Sequence, residues 1–345
     1  MTTEDVLRLV RPNIAALAPY STARDEYKGS IGIFIDANEN PFTNGYNRYP
    51  DPRQTALKKR IAAIKGTTVE QMFIGNGSDE AIDLCFRIFC RPGIDNVIAI
   101  CPSYGMYRVS ADINDVEVRE VPLSSPDFGL PTTEILAHSD ENSKLLFLCS
   151  PNNPTGNTFP LKEIKVLLEQ FYGIVVVDEA YIDFADSPSL IQQLNCYPNL
   201  IVLQTLSKAY GMAGLRLGLA FSSKEVMQLF ANVKYPYNIN LAGMEQAHKL
   251  LERDVRSEIE IIRKERARVN EALYGCPCVQ RVYQSEANFL LVKVSDADRI
   301  YDALISEQII VRNRNRVKGC AGCLRITIGT PEENDRMLCI MKEQV

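Results

Sequence analysis

Between Met72 and Phe221, short apolar runs alternate with stretches of helical periodicity. This pattern predicts strands joined by crossover helices in a largely parallel sheet. The predicted strands are Met72–Ile74, Val97–Ile100, Leu145–Cys149, Ile174–Val177, Leu200–Gln204 and Leu217–Phe221. They are short and nearly uniformly apolar, as strands covered on both faces must be. Amphipathic helices are predicted between them, from Asp79 to Phe89 with Ser78 as cap, and from Leu161 to Gln170 after Pro160. From Gln246 to Leu273 the pattern becomes one long charged helix leading to a second unit, where Ala287–Val294 and Leu324–Ile328 read as further strands.

A parallel sheet binds its ligands outside the carboxyl ends of its strands, so the residues just after each apolar run carry the functional information. They are Asn76-Gly77-Ser78, Pro102-Ser103-Tyr104, Asn152-Asn153-Pro154-Thr155-Gly156, Asp178-Glu179-Ala180-Tyr181 and Ser207-Lys208. Taken alone, each cluster is a turn whose residues serve the backbone. Their recurrence on successive strand ends predicts one shared polar rim.

The segment around Lys208 sharpens that expectation. Between Asp186 and Lys224 the only charged residues are Lys208 and Arg216, set among small and apolar residues that include Gly211, Gly214 and Gly218. Two cations in such a run call for an anion, because an unpaired buried charge costs several kcal/mol. A phosphate meets the need, and the Gly77-Ser78 turn opening a helix adds backbone N–H donors to the same site. Asp178, at the end of Val175-Val176-Val177, is a buried carboxylate in want of a cationic partner. A protonated pyridine nitrogen is one, so pyridoxal 5'-phosphate accounts for lysine, arginine and aspartate together. The alternative for Asp178 is a helix cap.

Composition narrows the classes of function. Of 345 residues, 46% are apolar and 23% charged, as in a globular protein, and the net charge of -5 argues against a nucleic-acid surface. No apolar stretch has the length a bilayer requires, and Met1–Val10 lacks the basic, apolar and small-residue order of a secretory signal, so the expected location is the cytoplasm. The cysteines sit mostly in apolar elements, where a thiol packs as a small hydrophobe. Cys320-Ala-Gly-Cys323 has zinc-like spacing but no second pair, and no metal is expected.

These residues resemble the fold type I pyridoxal-phosphate aminotransferases, and among them the histidinol-phosphate aminotransferases. The resemblance rests on Asp36–Pro41, Arg48–Pro52, Ser150–Gly156, Val177–Tyr181, Thr205–Gly218 and Leu324–Thr330, in the family's order over nearly the whole chain. It implies an α/β fold with a large domain, a mostly parallel sheet covered by helices, and a smaller α+β carboxyl-terminal domain. The implied divisions are an amino-terminal arm over residues 1–30 lying across the active site, a large domain over 31–243 and a small domain over 244–345. Lys208 would carry the cofactor as a Schiff base, Asp178 would meet the pyridine nitrogen, and Asn153 and Tyr181 would bond the ring hydroxyl. Tyr104 would stack on the ring, while Ser207, Arg216, Gly77 and Ser78 would hold the phosphate. Tyr49 would reach across from the second subunit of a homodimer.

The substrates implied are a small-molecule amino donor and a 2-oxo acid. Arg325 would receive an anionic group of the substrate, with Arg312 and Tyr20 completing a subsite for the phosphate of histidinol phosphate and Asn153 also binding the substrate. A paired guanidinium suits a dianion, although Arg312 lies in a basic run with Arg314, Arg316 and Lys318 that also fits a solvated face. Rival readings within the fold are an aromatic or broad-range aminotransferase and a phospho-amino-acid decarboxylase. A pyridoxal-phosphate sensor would need a DNA-binding module, and no basic helix-turn-helix precedes Tyr20; a dinucleotide-binding protein would need a Gly-x-Gly-x-x-Gly turn after the first strand, which is missing.

Overall fold

The computed structural model describes residues 1–21 and 32–344. Seven strands form the larger sheet: β1 (Met72–Asn76), β2 (Asn96–Cys101), β3 (Glu117–Pro122), β4 (Ser143–Cys149), β5 (Ile174–Asp178), β6 (Leu200–Thr205) and β7 (Leu217–Phe221). Their order is β1-β7-β6-β5-β4-β2-β3, and β7 alone runs against its neighbours. All six predicted strands are present. β3 is an addition: it lies at the edge, pairs with β2 only, and of its residues just Val121 is buried. A half-exposed edge strand carries charges that hide it from a search for apolar runs.

Alternation along the central strands fills two cores. Val175 and Val177 enter the first with Leu146, Leu148 and Val202, under the helices Thr55–Lys65 and Leu161–Gln170. Ile174 and Val176 enter the second with Leu145, Phe147 and Ile201, under the helices Ser78–Phe89, Met106–Ile113 and Lys224–Val233. Each such side chain contributes roughly 1.5–3 kcal/mol on burial, enough in sum to hold a rigid rim. The chain start joins the second core through Val6, Leu9 and Val10, with Arg11 N donating to Ile88 O at 2.9 Å.

Helix Ser78–Phe89 begins one residue earlier than expected. Gly77 is its cap, at φ +76°, and no side chain caps it, so the Ser78 hydroxyl does not play the expected part. The reason is a close approach: a Cβ on Gly218 would lie 2.0 Å from Ser78 N, so only glycine lets β7 pass the helix start.

The long helix expected from Gln246 to Leu273 is two helices, Leu241–Leu250 and Arg256–Leu273. Between them Leu251 and Val255 turn inward and are buried, Arg60 Nη2 takes the Leu251 carbonyl at 2.9 Å, and the Asp254 carboxylate accepts from Arg256 N at 3.0 Å. Met244 and Ala247 still belong to the core of the large sheet, so the change of core falls at this turn, beyond the 243/244 division read from sequence.

The second sheet is antiparallel, in the order β10-β11-β9-β8, with β8 (Val279–Val282), β9 (Phe289–Val294), β10 (Arg312–Asn313) and β11 (Cys323–Thr327). Its core packs Leu290, Val292, Leu324 and Ile326 against the helices Ala297–Ser306 and Pro331–Glu343. The opposite face carries Leu291 and Cys323 into the core of the large sheet. That shared face sets Arg325 toward the strand ends of the larger unit.

Candidate active site

Because β7 is reversed, β1, β2, β4, β5 and β6 end at one edge and β7 begins there. The predicted rim is real. Gly77, Ser78, Tyr104, Asn153, Asp178, Tyr181, Ser207, Lys208 and Arg216 line a single cleft on it.

Asp178 closes β5 and is buried. Its Oδ2 accepts from the Tyr107 hydroxyl at 2.9 Å and its Oδ1 from Ala180 N at 3.0 Å. Burial nevertheless raises its pKa from 3.8 to about 6, so two neutral donors do not offset the lost water. Glu179, next in sequence, turns away from the cleft: it accepts from Ser189 Oγ, Leu190 N and Gln204 Nε2 at 2.5, 2.7 and 2.9 Å, and ties the sheet rather than the site.

Lys208 has no ion pair among the described residues, and its Nζ lies 5.6 Å from the centre of the Tyr181 ring. Burial first, then the Arg325 charge, lowers its pKa against the opposing pull of Asp178. A desolvated amine beside a guanidinium is biased toward the neutral, nucleophilic form. Burial likewise raises the Tyr181 phenol.

Arg216 sits at φ +55°, a left-handed turn that returns the chain from the Lys208 loop into β7. Its Nη2 is 3.5 Å from Asp79 Oδ2, and Asp79 Oδ1 accepts from the Tyr104 hydroxyl at 3.0 Å. The acid that Lys208 and Arg216 lack in their own segment thus comes from the start of helix Ser78–Phe89. Tyr104 packs edge-on to Tyr107, centroids 5.7 Å apart. Sequence reasoning missed Asp79 and Tyr107. Asp79 reads as a first-turn helix acid and Tyr107 as a core residue; the one available signal was the spacing of Tyr107 one helical turn from Tyr104.

From the smaller sheet, Arg325 Nη1 donates to Asn153 Oδ1 at 2.6 Å, and its guanidinium carbon is 5.2 Å from the Phe289 ring centre. Arg312 pairs directly with Arg325 across β10 and β11, so both belong to one face. Tyr49 and Tyr20 do not line the Lys208 cleft. Tyr49 stacks on Tyr237 at 4.4 Å, and Tyr20, 75% exposed, borders a separate hollow with Pro52, Lys58 and Lys224. Cys320 and Cys323 are buried thiols with pKa values pushed by burial to about 12 and about 11.

Fold and site together define a fold type I pyridoxal-phosphate enzyme. The chain belongs to the aminotransferase class I and II family, whose model matches residues 35–340, and within it to the histidinol-phosphate aminotransferases. It is 52% identical over 341 residues to the histidinol-phosphate aminotransferase of Parabacteroides distasonis, a match covering 98% of this chain and 99% of that one. The solved histidinol-phosphate aminotransferase of Clostridium acetobutylicum superposes with a TM-score of 0.79 at 25% identity, over 86% of this chain and 90% of that one. The enzyme of Sinorhizobium meliloti, solved in complex with pyridoxal-5'-phosphate, shares the fold with a TM-score of 0.78 at 24% identity, over 86% and 82% of the two chains.

Aminotransferases of this family use pyridoxal phosphate, and the cleft fits that group. Asp178 is a buried carboxylate with no cation paired to it among the described residues, which a pyridinium N–H relieves. The start of helix Ser78–Phe89 has no side-chain cap and faces the same cleft as Arg216, which leaves its first-turn amides to a phosphate.

Proposed function

We propose that this protein transfers the amino group of L-histidinol phosphate to 2-oxoglutarate, giving imidazole acetol phosphate and glutamate in histidine biosynthesis. The observation that carries this reading is the bond from Arg325 to Asn153, which sets an arginine-bearing face of the small sheet against the Lys208 cleft. The relative from Parabacteroides distasonis, a histidinol-phosphate aminotransferase matched over 98% of this chain, supports the substrate.

When bound, pyridoxal phosphate supplies an electron sink for negative charge at the substrate carbon that bears the amino group. Lys208 would hold it covalently, Asp178 would hold its ring nitrogen protonated, and Asn153 and Tyr181 would bond the ring hydroxyl. Tyr104 would cover the ring face, with Ser207, Arg216, Gly77 and Ser78 at the phosphate. Lys208 Nζ takes the proton from the amine-bearing carbon of the substrate, which its lowered pKa favours. Arg325 and Arg312 grip the substrate phosphate and fix that carbon within reach of Lys208, with the Tyr20 hydroxyl as a further donor.

The working unit in this proposal is a homodimer in which Tyr49 completes the partner's phosphate site; of the arm expected over the active site, residues 1–10 pack into the chain's own second core and residues 22–30 lie outside the described residues. Ile33, Ile35 and Phe42, at 92%, 89% and 81% exposure, are apolar side chains on the same stretch of chain as Tyr49 that such a contact would cover. Ten free thiols agree with a reducing cytoplasm, and among the described residues no helix is long and apolar enough to cross a membrane.

Steady-state comparison of donors tests the proposal. With 2-oxoglutarate as acceptor, kcat/KM for histidinol phosphate should exceed that for phenylalanine and tyrosine by at least about tenfold, the worth of one charged contact. A larger value for the aromatic amino acids, or release of carbon dioxide, would overturn it.

A further inference from the structure

We infer that Arg314 is a third arginine of the substrate-phosphate subsite, and that it sets the preference for a phosphorylated donor over its unphosphorylated counterpart. The inference rests on the proposed function and goes beyond the two arginines named there.

The geometry begins with register. Arg312 pairs with Arg325 and Asn313 with Leu324, and Arg314 N donates to Cys323 O at 2.9 Å, extending the ladder by one step. Side chains alternate along an extended strand, so Arg312, Arg314, Arg325 and Cys323 share a face. The odd residues confirm the alternation. Asn313 and Asn315 turn the other way and donate to the two oxygens of Asp298, at 2.6 and 2.9 Å. The Asn315 Oδ1 in turn accepts from Gly322 N at 2.8 Å. Two asparagines clamped to one helix thus hold the strand so that Arg314 points toward the large domain, while Arg316 and Lys318 remain exposed. The basic run divides into one inward arginine and a solvated remainder.

What Arg314 meets there is telling. It is half-buried, its Nε is buried without a hydrogen-bond partner, and its side chain makes no ion pair among the described residues. The Nε of Arg325 is in the same condition. Among the described residues, the groups whose charge acts on Arg314 are Arg312, Cys320 and the Tyr181 phenol, none of them a carboxylate. Arg325 feels the same phenol and the charges of both Arg314 and Arg312. Arg314 and Arg325 therefore both face the Tyr181 phenol with no paired anion among the described residues, and the exposed Arg312 lies beside them on the same face.

Such a cluster is costly unless a ligand supplies the charge. The kind of anion follows from donor counting. A carboxylate has two oxygens, which one planar fork satisfies, whereas a phosphate dianion presents three terminal oxygens and twice the charge. Arg325 already gives Nη1 to Asn153. A third fork therefore adds little for a carboxylate and most for the dianion.

The test compares the holoenzyme with Arg314→Gln and Arg314→Lys, using histidinol phosphate, histidinol and glutamate as donors and inorganic phosphate as a competing ligand. Arg314→Gln should lower kcat/KM for histidinol phosphate about tenfold, mainly through KM, and weaken inhibition by inorganic phosphate by a similar factor. Histidinol and glutamate should change less than about twofold on the same grounds. Arg314→Lys keeps the charge but not the fork, so a loss of about threefold is expected. It also serves as the folded comparison if Arg314→Gln cannot be recovered. Wild-type enzyme that does not favour histidinol phosphate over histidinol sinks the proposed function itself. A wild-type preference retained in both variants overturns the role of Arg314 alone, as does an equal loss for all three donors, which marks a structural residue. A selective rise in KM for glutamate and 2-oxoglutarate would assign Arg314 to their carboxylates instead and also overturn it.

Discussion

At the rim of the large sheet, the acids are held by hydrogen-bond donors of the protein itself. Tyr107 and Ala180 donate to Asp178, Tyr104 donates to Asp79, and Asp79 lies beside Arg216. On the arginine face of the small sheet the reverse holds: Arg325 has one side-chain hydrogen bond, to Asn153, and Arg312 and Arg314 have none among the described residues. A cofactor that stays bound needs groups already oriented, because any reorganisation would weaken its hold. A substrate that must leave is better met by donors satisfied only in its presence, on a sheet that packs against the rim through a few residues such as Leu291 and Cys323.

The largest expected effect breaks the rim side outright. Lys208→Ala should lower turnover by at least about 10^4-fold for every donor, with single-turnover assays as the check. Substantial turnover by the purified variant would remove the lysine from the chemistry. A smaller effect concerns Asp178. In the cofactor-free fold it binds its proton more tightly than in the unfolded chain, with a pKa of about 6 against 3.8. Its contribution to stability is therefore complete below the lower value and lost as pH rises through the upper one. Urea unfolding across that window should show a decline on the order of 3 kcal/mol from this group, absent in Asp178→Asn. Parallel pH profiles for the two proteins would mean that burial at the end of β5 is less costly than its geometry indicates. The smallest effect probes the other face. Arg325→Gln should raise KM for histidinol phosphate by roughly thirtyfold, about 2 kcal/mol for a charged hydrogen-bonding group, while leaving cofactor absorbance unchanged. A change in that absorbance would show that the two faces are not separable.

The same contrast governs what could be read from sequence. Buried parallel strands announce themselves by composition, and the residues following them fall on one edge for topological reasons. Lys208, Asp178 and Arg216 were therefore visible without coordinates. Asp79 and Tyr107 were not, because each looks like an ordinary helix residue until the helix is docked. β3 and β10 escaped for a related reason: Glu117–Pro122 is half exposed, and Arg312–Asn313 is a two-residue strand inside a basic run. In that run the pairing with β11 reaches Arg314 and stops, so Arg316 falls in the turn that follows, and only that pairing separates the two. The break at Leu251–Val255 was hidden because helical periodicity persists on both sides of it, and the interruption depends on Arg60 from a distant helix.

The reversal of β7 reaches beyond the placement of Arg216. The segment between β6 and β7 leaves and re-enters the sheet at one edge, with Thr205 opposite Gly218 and Leu206 N bonded to Leu217 O at 3.0 Å. Its two ends are stitched together by the ladder. Insertions or deletions at its outer tip can accordingly be absorbed without shifting Ser207 or Arg216, which gives evolution a place to vary the surroundings of the lysine while the two residues of the proposed anion grip stay fixed.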